Sequence, residues 1–124
     1  MIAADTSSIV AYIDGEQGDD TRLLDSFLES RKIVLPPAVL SELFSEPKLP
    51  EIIKSALLQI PLLVILDGYW ERVGNLRSKI LASGLRAKIA DSLIAQSCID
   101  HSIALLTRDN DFRHFVRVGG LKLF

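Results

Sequence analysis

The sequence predicts an α/β domain in which a parallel sheet is wrapped by helices, and three observations carry that expectation. Short apolar runs of strand length, at residues 1–5, 33–35, 62–66, 103–107 and 121–124, alternate with segments whose apolar residues recur at helical spacing. The run at 62–66 lacks polar alternation, the pattern of a strand covered on both faces as in parallel sheets. Acidic residues stand just beyond strand ends or in helices entered from that edge, where parallel α/β sheets gather their binding sites. Together these features give a three-layer α/β/α arrangement with a five-stranded parallel sheet, and residues 1–124 form a single domain.

Residues 1–5, MIAAD, give a short buried strand with Asp5 at its carboxyl end, followed by Thr6, Ser7 and Ser8 as turn and cap residues. A brief helix covers 8–13. The polar loop GEQGDD then offers Asp19 or Asp20 as the cap of a helix whose face holds Leu23, Leu24, Phe27 and Leu28. The strand at 33–35 stops at Pro36-Pro37, and Pro37 suits the first turn of the next helix, PAVLSELFSE. Val39, Leu40, Leu43 and Phe44 form its apolar face with Glu42 at the rim. By itself Glu42 fits a solvated helical glutamate better than a site residue. Pro47 and Pro50 break the chain before a helix over 51–59, and after the strand at 62–66 helical spacing resumes over 69–83. Gly84 ends that helix. The basic connection GLRAK leads to a helix over 88–101, and 103–107 is a strand. A short helical turn at 112–115, the turn Gly119-Gly120 and a last strand at 121–124 complete the chain.

The helix over 88–101, KIADSLIAQSCIDH, carries a carboxylate where a hydrocarbon is expected. At about 3.6 residues per turn Asp91 shares its face with Ile94, Ala95 and Cys98, and Ile89, Ala90, Leu93 and Ile99 cover most of the remaining circumference. An ionised carboxylate among such neighbours is costly unless it meets a cation or several donors. Asp91 therefore needs a partner.

Composition bounds the classes of function. A chain of 124 residues that is 48% hydrophobic can bury a core without staples, which excludes global disorder. Its one cysteine, Cys98, cannot form an internal disulfide, so a reducing cytoplasm is the expected location. No charged-then-apolar leader is present, and the longest apolar stretch, around 61–66, falls far short of the roughly 20 residues that cross a bilayer, so no membrane role is expected. The formal net charge is −2. Residues 1–67 hold 11 acids and 5 bases, whereas 68–124 hold 5 acids and 9 bases. A basic second half suits a polyanion or an acidic partner, and equally suits solvated helix surfaces.

Asp5, Glu42, Asp91 and Asp109 fall near one edge of the expected sheet. Four carboxylates aimed at one pocket repel one another, and burial pushes some to protonate, unless divalent cations neutralise them. Oxygen-only ligands suit Mg²⁺ or Mn²⁺, whereas His101, His114 and Cys98 lack the spacing of a zinc site. The chemistry such a site supports is metal-dependent hydrolysis of phosphodiesters.

The motifs Asp5-Thr6-Ser7 after the first strand, Glu42 in VLSEL, Asp91 in IADSLIA and Thr107-Arg108-Asp109-Asn110-Asp111-Phe112 after the fourth strand span nearly the whole chain. Each is weak alone, but their order and contexts resemble the PIN-domain ribonucleases, most closely the VapC toxins of prokaryotic toxin–antitoxin pairs. The resemblance implies a PIN-like fold and an acidic quartet of Asp5, Glu42, Asp91 and Asp109, with Asp111 a fifth carboxylate. It implies Mg²⁺ or Mn²⁺ held by Asp5, Asp91, Asp109 and Asp111, with Thr6 and Thr107 steadying a carboxylate or a bound water. It further implies an RNA substrate, a homodimer and a cognate VapB-type antitoxin. The chain is shorter between Glu42 and the third strand than many members, which bears on dimer geometry and antitoxin grip more than on catalysis. Arg86, Lys88, Arg108, Arg113 and Arg117 are candidates for RNA phosphate contacts, although each arginine singly fits a solvated side chain better.

The competing class is a PIN-like domain that processes RNA without being a toxin, or that binds a metal or partner without cleaving. A phosphorylated receiver fits less well, since one acid ends the first strand and no lysine follows the strand at 103–107. A third alternative, Asp91 as a structural acid satisfied by a buried arginine or a helix end, leaves the other acids unrelated.

Overall fold

The central strand β1 (Ile2–Ala4) is flanked on both sides by parallel partners, β2 (Ile33–Val34) and β3 (Leu105–Leu106), giving the order β2–β1–β3. This arrangement is seen in a computed structural model that describes all residues, Met1–Phe124. Ala3 pairs with Val34 on one side and Leu105 on the other, and every strand residue is buried. Helices α1 (Thr6–Ile13), α2 (Asp19–Glu29), α3 (Pro37–Phe44), α4 (Glu51–Leu57), α5 (Tyr69–Ala82), α6 (Ile89–Asp100) and α7 (Arg113–Gly119) flank the sheet. Within this shell α1 packs on α2 and α3, α5 packs on α6 and α7, and α3 also reaches α6.

The sheet is narrower than the five strands expected. The segments at 62–66 and 121–124 each contribute a single parallel bridge, Leu35 to Leu62 at one edge and Leu105 to Leu123 at the other. Each bridge rests on two backbone bonds of 2.9 Å, Leu35 N–H to Pro61 and Leu63 N–H to Leu35, then Leu105 N–H to Lys122 and Phe124 N–H to Leu105. The chain thus reaches the expected positions but leaves them after one residue. Nor is the 62–66 run covered on both faces: Leu63 is buried, whereas Leu62, Val64, Ile65 and Leu66 are exposed, Val64 at 69%. Uninterrupted apolarity signals burial only where another layer exists to supply it.

The core joins the strands to Ile9, Leu24, Val39, Leu76, Ile80, Ile94, Ala95 and Phe112, all buried. The α6 face read from the sequence is this core's inner wall, with Ile94, Ala95 and Cys98 at 0% exposure. A bidentate ion pair from Arg72 of α5 to Asp100 at the end of α6, at 2.9 and 2.6 Å, ties the two helices together, and Gln96 donates to the same carboxylate at 2.8 Å. At the end of α7, Gly120 takes the left-handed conformation (φ 76°) that glycine adopts without strain. Gly119 has a different role, since a Cβ there would lie 2.6 Å from Leu76 Cδ1. No helix is long and apolar enough to cross a membrane.

Candidate metal centre

Parallel pairing places the ends of β1 and β3 side by side, so the residues just past them meet. The Asp5 N–H donates to the Leu106 carbonyl at 2.9 Å, and Thr107 Oγ1 donates to Asp5 Oδ2 at 2.7 Å. The same Thr107 oxygen accepts from Asp109 N–H at 3.0 Å. Ser7, in the first turn of α1, donates to Asp5 Oδ2 at 2.8 Å and accepts from Arg108 N–H at 3.0 Å. Asp5 stands at the amino end of α1 without capping its backbone N–H groups, so its buried carboxylate lies between the Ser7 hydroxyl and the loop after β3. One oxygen takes two hydroxyls; the other takes no hydrogen bond within the chain.

Asp109 opens a 3-10 turn (Asn110–Phe112), and its Oδ1 accepts from Asp111 N–H at 2.8 Å. That cap turns Asp111 toward Asp91, in the first turn of α6. Ligand oxygens of Asp91, Asp109 and Asp111 all lie within 4.8 Å of one another. Of the four expected metal ligands, the structure therefore brings three together, and Asp5 stays outside that grouping.

Burial pushes the Asp91 carboxyl up to about 6, and the charges of Asp109, Asp5 and Glu42 push it the same way while the Lys88 ammonium opposes them. An acid in the first turn of a helix is ordinarily favoured by the helix dipole. Here burial and like charge win. The donor set is oxygen only and carries excess negative charge, so the residues present fit a hard divalent cation such as Mg²⁺ or Mn²⁺. The nearby thiol of Cys98 is pushed up to about 12 by burial, which leaves it inert as a nucleophile or soft ligand at neutral pH.

Glu42 lies in the last turn of α3 rather than near the helix's amino end, and it is exposed at the rim as expected. Thr6 donates to Glu42 Oε1 at 2.7 Å, so it steadies Glu42 and not Asp5. The hydroxyl that steadies Asp5 from α1 is that of Ser7, a residue expected only in a turn or cap role. The spacing of a serine two residues after an acid at a helix start was the available signal. Arg108, expected at an RNA phosphate, is committed elsewhere. Its guanidinium pairs with Asp20 at 2.6 and 3.0 Å and approaches Glu16 at 3.5 Å, holding Asp20 below the usual carboxylate range. Asp20 in turn accepts from Ser8, so α2 braces the loop that carries Asp109. Arg86 and Lys88 are exposed and unpaired with any acid, and Arg113 bonds Asn110 O through Nε alone.

A family model described as PIN domain matches residues 2–118. The chain is similar in structure to VapBC2 from Rickettsia felis bound to a DNA fragment from its promoter, with a TM-score of 0.77 and 24% identity, covering 100% of this chain and 98% of that one. It is likewise similar to DNA-bound VapBC from Salmonella typhimurium (TM-score 0.72, 18% identity, 100% and 98% covered). FitAcB from Neisseria gonorrhoeae aligns with a TM-score of 0.71 at 22% identity, over 100% and 96% of the two chains. No curated protein matches the chain.

Proposed function

Since the chain belongs to the PIN domain family, we propose that it is a metal-dependent endoribonuclease and the toxin of a VapBC-type pair. The observation that carries this reading is the convergence of Asp91, Asp109 and Asp111 oxygens within 4.8 Å at the carboxyl edge of the sheet, beside the pinned carboxylate of Asp5. Asp91, Asp109 and Asp111 would hold Mg²⁺ or Mn²⁺. Such an ion, when bound, supplies Lewis-acid stabilisation of the charge that builds on a phosphodiester during hydrolysis.

The chain's own residues do the rest. Thr107 and Ser7 fix Asp5 through one oxygen, leaving the other to orient an attacking water and accept its proton. Glu42, held by Thr6, supplies a further acceptor at the rim. The partially buried wall formed by α6 keeps the acids in a medium where their charges act strongly on one another. Structural likeness to VapBC complexes supports a VapB-type antitoxin as partner. The exposed Leu62, Val64, Ile65 and Leu66, with Trp70 soon after, offer an apolar area that a second copy would cover in a homodimer.

The test is incubation of the folded protein with single-stranded RNA in Mn²⁺ or Mg²⁺, with and without EDTA. Cleavage at internal positions that needs the ion and stops with EDTA is expected. RNA that stays intact in both ions, with the protein folded and free of any antitoxin, would overturn the nuclease reading in favour of a binding domain.

A further inference from the structure

Two cavities flank the acidic edge, and their charges differ in sign. On the Glu42 side a cavity of about 550 Å³ is lined by Asp14, Glu42 and Glu46 against one lysine, Lys48. On the Asp91 side a cavity of about 470 Å³ is lined by Arg77, Arg86 and Lys88, with Leu81, Leu85 and Phe115 as its apolar wall. Asp91 and Asp111 form part of the second cavity's lining, so it opens directly onto the cluster that would hold the ion. With a divalent cation there, this cavity is net positive, whereas the other stays negative. A polyanion crossing the acidic edge is thus drawn to one side.

Arg77 was not singled out by its sequence context, a basic residue on a helix between apolar positions. Its Nε donates to the Ala87 carbonyl at 2.8 Å, which fixes the guanidinium against the 84–88 connection. Its remaining N–H groups make no hydrogen bond within the chain. Arg77, Arg86 and Lys88 form no ion pair, in contrast to Arg22, Lys54, Arg72 and Arg108. Three cations without acidic partners, one of them anchored with its fork free, beside an apolar wall match the two halves of a nucleotide: phosphate and base.

We propose that this cavity is a substrate subsite, in which Arg77 and Arg86 hold the phosphate next to the scissile one while its base lies against Leu81 and Leu85. The proposal rests on the ribonuclease reading above and adds to it the direction in which RNA leaves the acidic cluster. Lys88 lies between the two, close enough to Asp91 to favour its ionised form, and so belongs to the boundary of the metal centre.

The test compares the parent with Arg77→Ala, Arg77→Lys and Arg86→Ala on a short single-stranded RNA in Mn²⁺. KM is measured across a salt series, with Kd in Ca²⁺ alongside. Each alanine variant is expected to raise KM and Kd about 3- to 10-fold and to lower the salt slope by about 0.7, the value for one phosphate on a single strand. The kcat and the Mn²⁺ affinity should stay near parental values, and Arg77→Lys should recover part of the loss. Arg86 makes no hydrogen bond through its side chain, so its alanine variant removes no contact within the chain, and Lys32→Ala, before β2 at the other end of the strands, controls for net charge. A parent that cleaves while both alanine variants keep its KM, Kd and salt slope overturns the subsite alone. A parent that neither cleaves nor binds RNA overturns the ribonuclease reading and the subsite together. If the parent binds without cleaving, the Kd values decide.

Discussion

Replacing Asp91 by asparagine is expected to lower Mn²⁺-dependent RNA cleavage by at least about 100-fold while making the metal-free protein more stable at neutral pH. Loss of residues that merely orient metal ligands costs about 10- to 100-fold, and loss of a ligand should cost more. The stability gain follows from the raised carboxyl. In the folded chain Asp91 titrates at about 6, against an ordinary 3.8. Between those values the folded state binds a proton that the unfolded state has released, so stability falls as pH rises from about 4 to 6 and stays lowered above. Two pKa units correspond to roughly 3 kcal/mol at most, and partial exposure reduces this to about 1–2 kcal/mol. Urea unfolding of both proteins in EDTA at pH 4.5 and 7.5 checks it. The variant should be the more stable at pH 7.5, and the gap should narrow to roughly a third at pH 4.5. A variant less stable than the parent at pH 7.5 would mean that a cation of the protein already neutralises Asp91.

Asp109 offers a second large effect that separates its two jobs. Its Oδ1 caps the turn that positions Asp111, and its charge belongs to the acidic cluster. Asparagine keeps an acceptor at Oδ1 and removes the charge. Asp109→Asn should therefore fold normally, lose at least about 100-fold in metal-dependent cleavage, and show a lower titration point at Asp91, because one repelling charge is gone. Asp109→Ala loses the cap as well, and should be destabilised by a further ~1 kcal/mol relative to Asn. Cleavage rates with thermal unfolding of both variants test this; equal stability of the two would remove the capping role.

Much of this was legible in the sequence because each motif sits where local rules are strong. Pro37 opens α3, Gly84 follows α5, and the apolar spacing around Asp91 marked α6 and its buried face. The acids were legible as a set, since parallel strands bring residues past their ends to one edge. What was not legible depends on contacts across the chain. Whether residues 62–66 are covered depends on a neighbouring layer, and only Leu63 finds one. Whether Arg108 is free depends on Asp20, 88 positions earlier. Thr6 was the hydroxyl expected beside Asp5, and the winding of α1 decides that Ser7 reaches it while Thr6 reaches Glu42.

The central claim is that Asp91, Asp109 and Asp111 hold a divalent ion, and calorimetric titration of Mn²⁺ into the metal-free protein at pH 7.5 tests it most directly. Saturable binding is predicted for the parent, weakening as pH falls below 6 where Asp91 takes up its proton, and largely lost in Asp91→Asn and Asp109→Asn. A folded parent that binds no Mn²⁺, or variants that bind it as tightly as the parent, would contradict the account.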